Sequence, residues 1–168
     1  MTLAQVNALD RAAFVATLGG VFEHSPWVAD AAWPGRPFAS LDALHVAMVA
    51  AMRGAPEEAQ LALVRAHPEL AGKAAIRGEL TADSTEEQSG AGLTNCSPRE
   101  FARLHALNRA YHVKFGFPFI LAIKGLDREA IIIRFAERFE HDRATEWEEA
   151  LKQIAKIARF RLEAMIEG

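Results

Sequence analysis

A chain of 168 residues, 51% hydrophobic and 24% charged with a formal net charge of −3, has the length and apolar content of one globular domain with a sizeable core. Its charges are interspersed without an acidic or basic tail, so nothing electrostatic points to nucleic acid or an anionic membrane as partner. The single cysteine, Cys96, cannot close an internal disulfide and reads as a turn residue before Ser97-Pro98. No apolar stretch approaches a membrane span, MTLAQVNALD lacks the basic-then-apolar order of a secretory signal, and the last residues carry no peroxisomal tripeptide. The expected compartment is the cytoplasm.

Taken in order, Asp10 caps a helix over Arg11 to Gly19, with Phe14, Val15 and Leu18 on one stripe. Ser25-Pro26 opens a short helix through Val28 to Trp33, and Pro34-Gly35 stops it. Ser40 caps a helix in which Leu41, Leu44, Met48, Val49 and Met52 recur at helical spacing, closed by Gly54. Pro56-Glu57-Glu58 starts the next, with acids in its first turn and Arg65 in its last. His67 precedes Pro68, which disfavours the α region at His67 and makes it the expected last residue of that helix. Ser84-Thr85-Glu86-Glu87-Gln88 has the order of a capping box and puts Glu87 and Gln88 in the first turn of a short helix closed by Gly90-Ala91-Gly92.

Ser97-Pro98-Arg99-Glu100 is a second capping box, opening a long helix that carries Phe101, Leu104, His105, Leu107, Asn108, Tyr111, His112 and Phe115 and ends near Gly116. Phe117 to Ile123 is apolar, short and bounded by Pro118 and Gly125. It reads as irregular buried backbone whose peptide groups need partners, a polar ligand among the candidates. Asp127 starts a helix with Ile131, Ile132, Phe135 and Phe139 inside, and Thr145-Glu146-Trp147-Glu148 caps the last one. About eight helices and no convincing strand predict an all-α fold of orthogonal or bundle type, a single domain over residues 1–168 without repeat or linker.

Three motifs in order resemble one known family: His67-Pro68-Glu69-Leu70-Ala71-Gly72, then Ser84-x-x-Glu87-Gln88 with Ala91-Gly92-Leu93, then Phe115-Gly116-Phe117-Pro118-Phe119-Ile120. They look like 2-oxo-4-hydroxy-4-carboxy-5-ureidoimidazoline (OHCU) decarboxylase, which forms allantoin in the route from urate. The likeness runs over nearly the whole chain. It implies that His67 is the acid/base that donates a proton and that Glu87 is its partner, whose charge would support imidazolium. It also implies a substrate site from Pro68, Ser84, Thr85, Glu86, Glu87, Gln88, Phe119, Ile120, Leu121, Ala122 and Ile123. An arginine near the chain end would hold the substrate carboxylate. Arg159 and Arg161 point about 200° apart on a helix, and Arg161, beside Leu162, is the choice, with Lys73 and Arg77 as substitutes. The resemblance allows a homodimer.

The residues themselves argue for acid-base chemistry. No His-Glu-x-x-His or Glu-x-x-His occurs, and His105 and His112, two turns apart, find no third ligand, so no metal site is expected. Gly90-x-Gly92 is followed by Asn95 and follows no strand, so a dinucleotide fingerprint fails, and phosphate-loop and nucleophile-elbow patterns are absent. The substrate that the resemblance implies has its own C=N electron sink, and no cofactor is expected. A different class of reading treats His67 and Glu87 as helix ends and Phe117 to Ile123 as an apolar segment that docks a protein partner.

Overall fold

The computed structural model describes residues 1–167, and among these it forms ten α-helices and no strand beyond one isolated bridge between Thr2 and Glu167. The protein is all-α. Its residues cluster into two compact units, one made of Met1–Ala66 with the chain from Ile154 onward, the other of His67–Gln153.

The first unit holds α1 (Leu3–Ala8), α2 (Arg11–Leu18), α3 (Trp27–Ala32), a 3-10 turn at Trp33–Gly35, α4 (Leu41–Gly54) and α5 (Glu57–Ala66). The caps are side-chain oxygens that accept otherwise orphaned helix N–H groups: Asp10 from Ala13 and Ser40 from Ala43. Packing of α3 on α2 and α4 buries Phe14, Leu18, Val28, Leu44 and Met48 completely. Each such side chain contributes about 1.5–3 kcal/mol of transfer free energy. The end of α10 (Arg143–Met165) adds Ala158 and Leu162 to this core.

The second unit holds α6 (Lys73–Arg77), α7 (Ala82–Gly90), a 3-10 turn at Leu93–Asn95, α8 (Pro98–Phe115), α9 (Arg128–Phe139) and the first part of α10. Ser97 and Glu100 form the expected reciprocal capping box, and α8 ends at Gly116 with φ +78°, a left-handed position natural to glycine. From Phe117 to Ile123 the chain is irregular and buried throughout. Tyr111 lies edge-on to Phe117, Phe119 and Phe135, and Phe119 stacks on Phe135 with centroids 3.9 Å apart.

Several expected helix starts shift. The helix over residues 82–90 is capped by Thr81, whose hydroxyl accepts from the Ser84 N–H. Ser84 is therefore the third helical residue, and Glu87 and Gln88 fall in the middle and last turns instead of the first. The last helix likewise begins at Arg143, with Asp142 accepting from the Thr145 N–H at 2.7 Å. In both places an acceptor three residues upstream of the expected cap already satisfies its backbone. Ser25 does not cap α3 with its side chain, since its hydroxyl donates to the Glu23 carbonyl. Two short helices, α1 and α6, were not anticipated, which accounts for ten helices against about eight.

Candidate active site

The His67-Pro68-Glu69-Leu70-Ala71-Gly72 stretch is a loop that begins one residue after α5, with His67 only 7% exposed. The backbone of the loop is held by side chains from two helices. Gln88 Oε1 accepts from the Ala71 N–H at 3.0 Å while Gln88 Nε2 donates to the Glu69 carbonyl at 3.2 Å, and Asn108 Nδ2 donates to the Leu70 carbonyl at 3.0 Å. Three successive residues are thereby fixed, and this fixation supports a left-handed Ala71 with φ +51°, a conformation that costs a non-glycine residue about 1–2 kcal/mol. Gly72 is required beside it, because a Cβ there would meet the Glu69 Cβ at 2.7 Å.

Gln88 thus brings one face of α7 against the loop that His67 opens. Residues three and four apart share a helix face, so Ser84, Glu87 and Gln88 lie together. Ser84 and Gln88 are buried and Glu87 is half-buried, whereas Thr85 and Glu86 are exposed, with the Thr85 hydroxyl donating to the Thr81 carbonyl at 2.9 Å. The spacing of the five residues in sequence did not separate these two sides.

Phe119, Ile120, Leu121, Ala122 and Ile123 are all buried, so the segment presents no exposed apolar side chain for docking a partner. Its backbone is met by polar groups of the same unit. Arg138 Nη1 donates to the Ile120 carbonyl, the Ala122 N–H donates to Gln153 Oε1 at 2.9 Å, and the Leu126 N–H donates to the Ile123 carbonyl at 2.9 Å.

Behind this segment lies a charged cluster that the sequence reading missed. Glu146, with no exposed surface, receives Arg138 Nη2 at 2.8 Å and Arg138 Nε at 3.1 Å, the Tyr111 hydroxyl, and His141 Nδ1 at 2.9 Å. Burial alone would push the Glu146 carboxyl up, but the Arg138 guanidinium, the Tyr111 hydroxyl and His141 together hold it below the ordinary carboxylate range. Burial, then the Glu146 carboxylate, drives the Tyr111 hydroxyl well above its ordinary value. The cluster was findable from periodicity: Arg138 follows Ile131 and Phe135 on the buried stripe of α9, and Glu146 precedes Ala150 and Ile154 on that of α10.

Arg161 lies in the first unit, 5% exposed, its Nη1 2.8 Å from Glu23 Oε2 and 3.3 Å from the Gly20 carbonyl. Arg159 is paired on the surface of α10 with Asp42 and, at 2.7 Å, with Glu163. Lys73 and Arg77 are exposed on α6. His105 is half-buried against Phe101 whereas His112 is exposed. Among the described residues no three His, Cys, Asp or Glu side chains converge as a metal site would need, and no helix is long and apolar enough to cross a membrane.

Residues 7–163 match the protein family described as OHCU decarboxylase. The chain is 42% identical over 162 residues to the 2-oxo-4-hydroxy-4-carboxy-5-ureidoimidazoline decarboxylase of Haloferax volcanii, covering 96% of this chain and 94% of that one. It is 39% identical over 165 residues to the protein of the same name from Halalkalicoccus jeotgali, covering 98% and 92%. Among solved structures it is similar to a crystal structure of (S)-allantoin synthase, with a TM-score of 0.81 and 28% identity; the match covers 99% of this chain and 54% of that one, so this chain spans about half its length.

Proposed function

Because the chain belongs to the OHCU decarboxylase family, we propose that it converts 2-oxo-4-hydroxy-4-carboxy-5-ureidoimidazoline to (S)-allantoin, the last step of urate degradation, by acid-base catalysis without metal or organic cofactor. The observation that carries this reading is the end-to-end likeness to decarboxylases, in a chain whose three motifs fall within one unit of the fold. The match from residue 7 to residue 163 takes in residues of both units, which supports a single functional domain.

The substrate has a carboxylate and a hydroxyl on one carbon beside a C=N bond. When the bond to the carboxylate breaks, its electron pair forms a C=C to the carbon of the C=N, whose π pair moves to the nitrogen; carbon dioxide leaves, and the nitrogen takes a proton. The carbon of the former C=N then takes a proton on one face while the hydroxyl proton is lost and a carbonyl forms. The enzyme supplies orientation, handling of the hydroxyl proton and delivery of a proton to one face of the carbon. His67 donates the proton that sets the product's handedness, and Glu87 supports its imidazolium form. Pro68, Ser84, Gln88 and the peptides of Phe119 to Ile123 surround the ring. Thr85 and Glu86 are exposed on α7, and their place at the substrate rests on the resemblance alone. The role of Arg161 toward the substrate carboxylate rests on the resemblance alone. The reading expects a cytoplasmic enzyme with a small-molecule substrate and no nucleic-acid or membrane partner, and it accommodates a homodimer, which light scattering on the purified protein checks.

The test is to add purified protein to substrate freshly generated by urate oxidation and to follow circular dichroism. One enantiomer of allantoin should accumulate faster than in the spontaneous reaction, and His67→Asn should lower the rate about 10²- to 10⁴-fold while the protein stays folded. Turnover by His67→Asn at the wild-type rate would remove His67 from the chemistry, and no acceleration by the wild type would end the proposal.

A further inference from the structure

The two fastenings on the Phe117 to Ile123 segment have a geometric consequence. The Ile120 carbonyl, bonded by Arg138, and the Ala122 N–H, bonded to Gln153 Oε1, belong to the two peptide groups that flank the Leu121 Cα. Both peptides are trans, and in a planar trans peptide the N–H and C=O point in opposite directions. With the Ile120 carbonyl turned to Arg138, the Leu121 N–H of the same peptide points away from Arg138. With the Ala122 N–H turned to Gln153, the Leu121 C=O points away from Gln153. No protein group among the described residues hydrogen-bonds either one, although Leu121 is only 9% exposed. Buried backbone groups are rarely left so unless something else bonds them.

The fastening side chains are themselves oriented. Arg138 is locked by the buried Glu146, which also receives Tyr111, and Gln153 Nε2 donates to Glu149 Oε1 at 2.8 Å, which fixes which end of the amide meets Ala122. An irregular segment has no ladder to set its peptide planes, so these side chains set them.

We propose that Arg138 and Gln153 are positioning residues that turn the two peptides around Leu121 so that its N–H and C=O pair with an N–H/C=O edge of the ligand, the edge of a lactam or ureide. This rests on the decarboxylase reading above, whose substrate and product both carry such edges. Because the edge survives decarboxylation, the pairing acts on ground state and transition state alike and belongs to binding more than to the chemical step.

Arg138 sits in a buried ion pair whose loss endangers folding, so the half-exposed Gln153 is the position to vary. Gln153→Leu removes the acceptor for the Ala122 N–H. The double variant Glu149→Gln with Gln153→Glu reverses the helix-surface hydrogen bond and restores that acceptor. Steady-state kinetics and calorimetric titration with (S)-allantoin are measured on both. Gln153→Leu should raise KM and weaken allantoin binding by about 5- to 10-fold, the worth of one neutral hydrogen bond, with kcat nearly kept. The double variant should recover most of both. A merely structural role would lower the active fraction and leave KM unchanged, and that result overturns the proposal, as does a raised KM that the double variant does not recover. Wild-type turnover with Gln153→Leu unaffected overturns the positioning alone, whereas a wild type that neither turns over the substrate nor binds allantoin overturns the decarboxylase reading and this proposal with it.

Discussion

Replacing Glu146 by glutamine changes a carboxylate to an amide of nearly equal size in a site with no exposure. Arg138, 6% exposed, then keeps its positive charge with no counter-charge, and the new amide turns an N–H₂ toward donors that previously met oxygen: the Arg138 guanidinium, the Tyr111 hydroxyl or His141. Breaking a buried ion pair by removing one partner costs about 3–5 kcal/mol, against about 5–15 kcal/mol for the stability of a whole domain. The protein should stay folded with a thin margin. In urea, at a slope of about 2 kcal/mol per molar, the unfolding midpoint should fall by roughly 1.5–2.5 M. Tryptophan fluorescence reports it, because Trp147 lies edge-on to Phe117 with centroids 5.6 Å apart. Adding Arg138→Met should recover part of the loss, since the uncompensated charge is then gone. The carboxyl is held low in the folded state, so its stabilisation is present in full above the ordinary carboxylate range and is lost as pH falls through the depressed folded value. Glu146→Gln should therefore flatten the acid limb of the stability profile. A midpoint within about 0.5 M of wild type would show that the cluster is not a compensated buried charge.

On the proposed mechanism Glu87→Gln keeps shape but removes the charge assigned to supporting His67, so kcat should fall with KM closer to normal and the residual product should stay one enantiomer; racemic product after correction for the spontaneous reaction would give the face-selecting role to Glu87. Thr81→Ala removes the hydroxyl that accepts from Ser84 and should cost about 1 kcal/mol in thermal or urea unfolding; an unchanged midpoint would mean that α7 does not depend on this cap. Dialysis against a strong chelator should leave turnover intact, and activity lost to chelation and restored by a divalent metal would overturn the cofactor-free mechanism.

The helices were legible because they obey local rules. Asp10, Ser40, Ser97 and Asp127 each accept from the N–H three residues on, and glycine stands where α8 needs a left-handed residue. The misplaced starts at Ser84 and Thr145 have one cause. Thr81-x-x-Ser84 and Asp142-x-x-Thr145 each offer two candidate caps one turn apart, and a hydroxyl followed by a carboxylate at the third position looks like a capping box at the second of them. Helix propensity does not separate the two starts. The extra turn forms because the upstream oxygen accepts from the Ser84 N–H in one case and from the Thr145 N–H in the other, which lets the two residues between enter the helix. The two overlooked helices, α1 and α6, have six and five residues, too short for a periodic apolar stripe to register.

The parts of the site that were not legible share a different property. Motif spacing located the polar face of α7 and the loop at His67, but the groups that hold the loop and the Phe117 to Ile123 segment in place, Asn108, Arg138, Glu146 and Gln153, meet backbone or side chains 8 to 38 residues away. No local rule pairs them. What a sequence can show is half of each pair: a charged residue on a stripe that is otherwise apolar, as Arg138 after Ile131 and Phe135. Such a residue cannot be buried alone, because leaving its charge uncompensated costs several kcal/mol, so its place on the stripe already implies a counter-charge on a facing helix. In this chain that counter-charge is Glu146, eight residues on, and the guanidinium that it holds reaches the irregular buried segment Phe117 to Ile123. Helices satisfy their own peptides, and an irregular segment does not. A buried arginine between an acid and a carbonyl holds such a segment in one conformation, as the neutral amides of Gln88 and Asn108 hold the loop at His67.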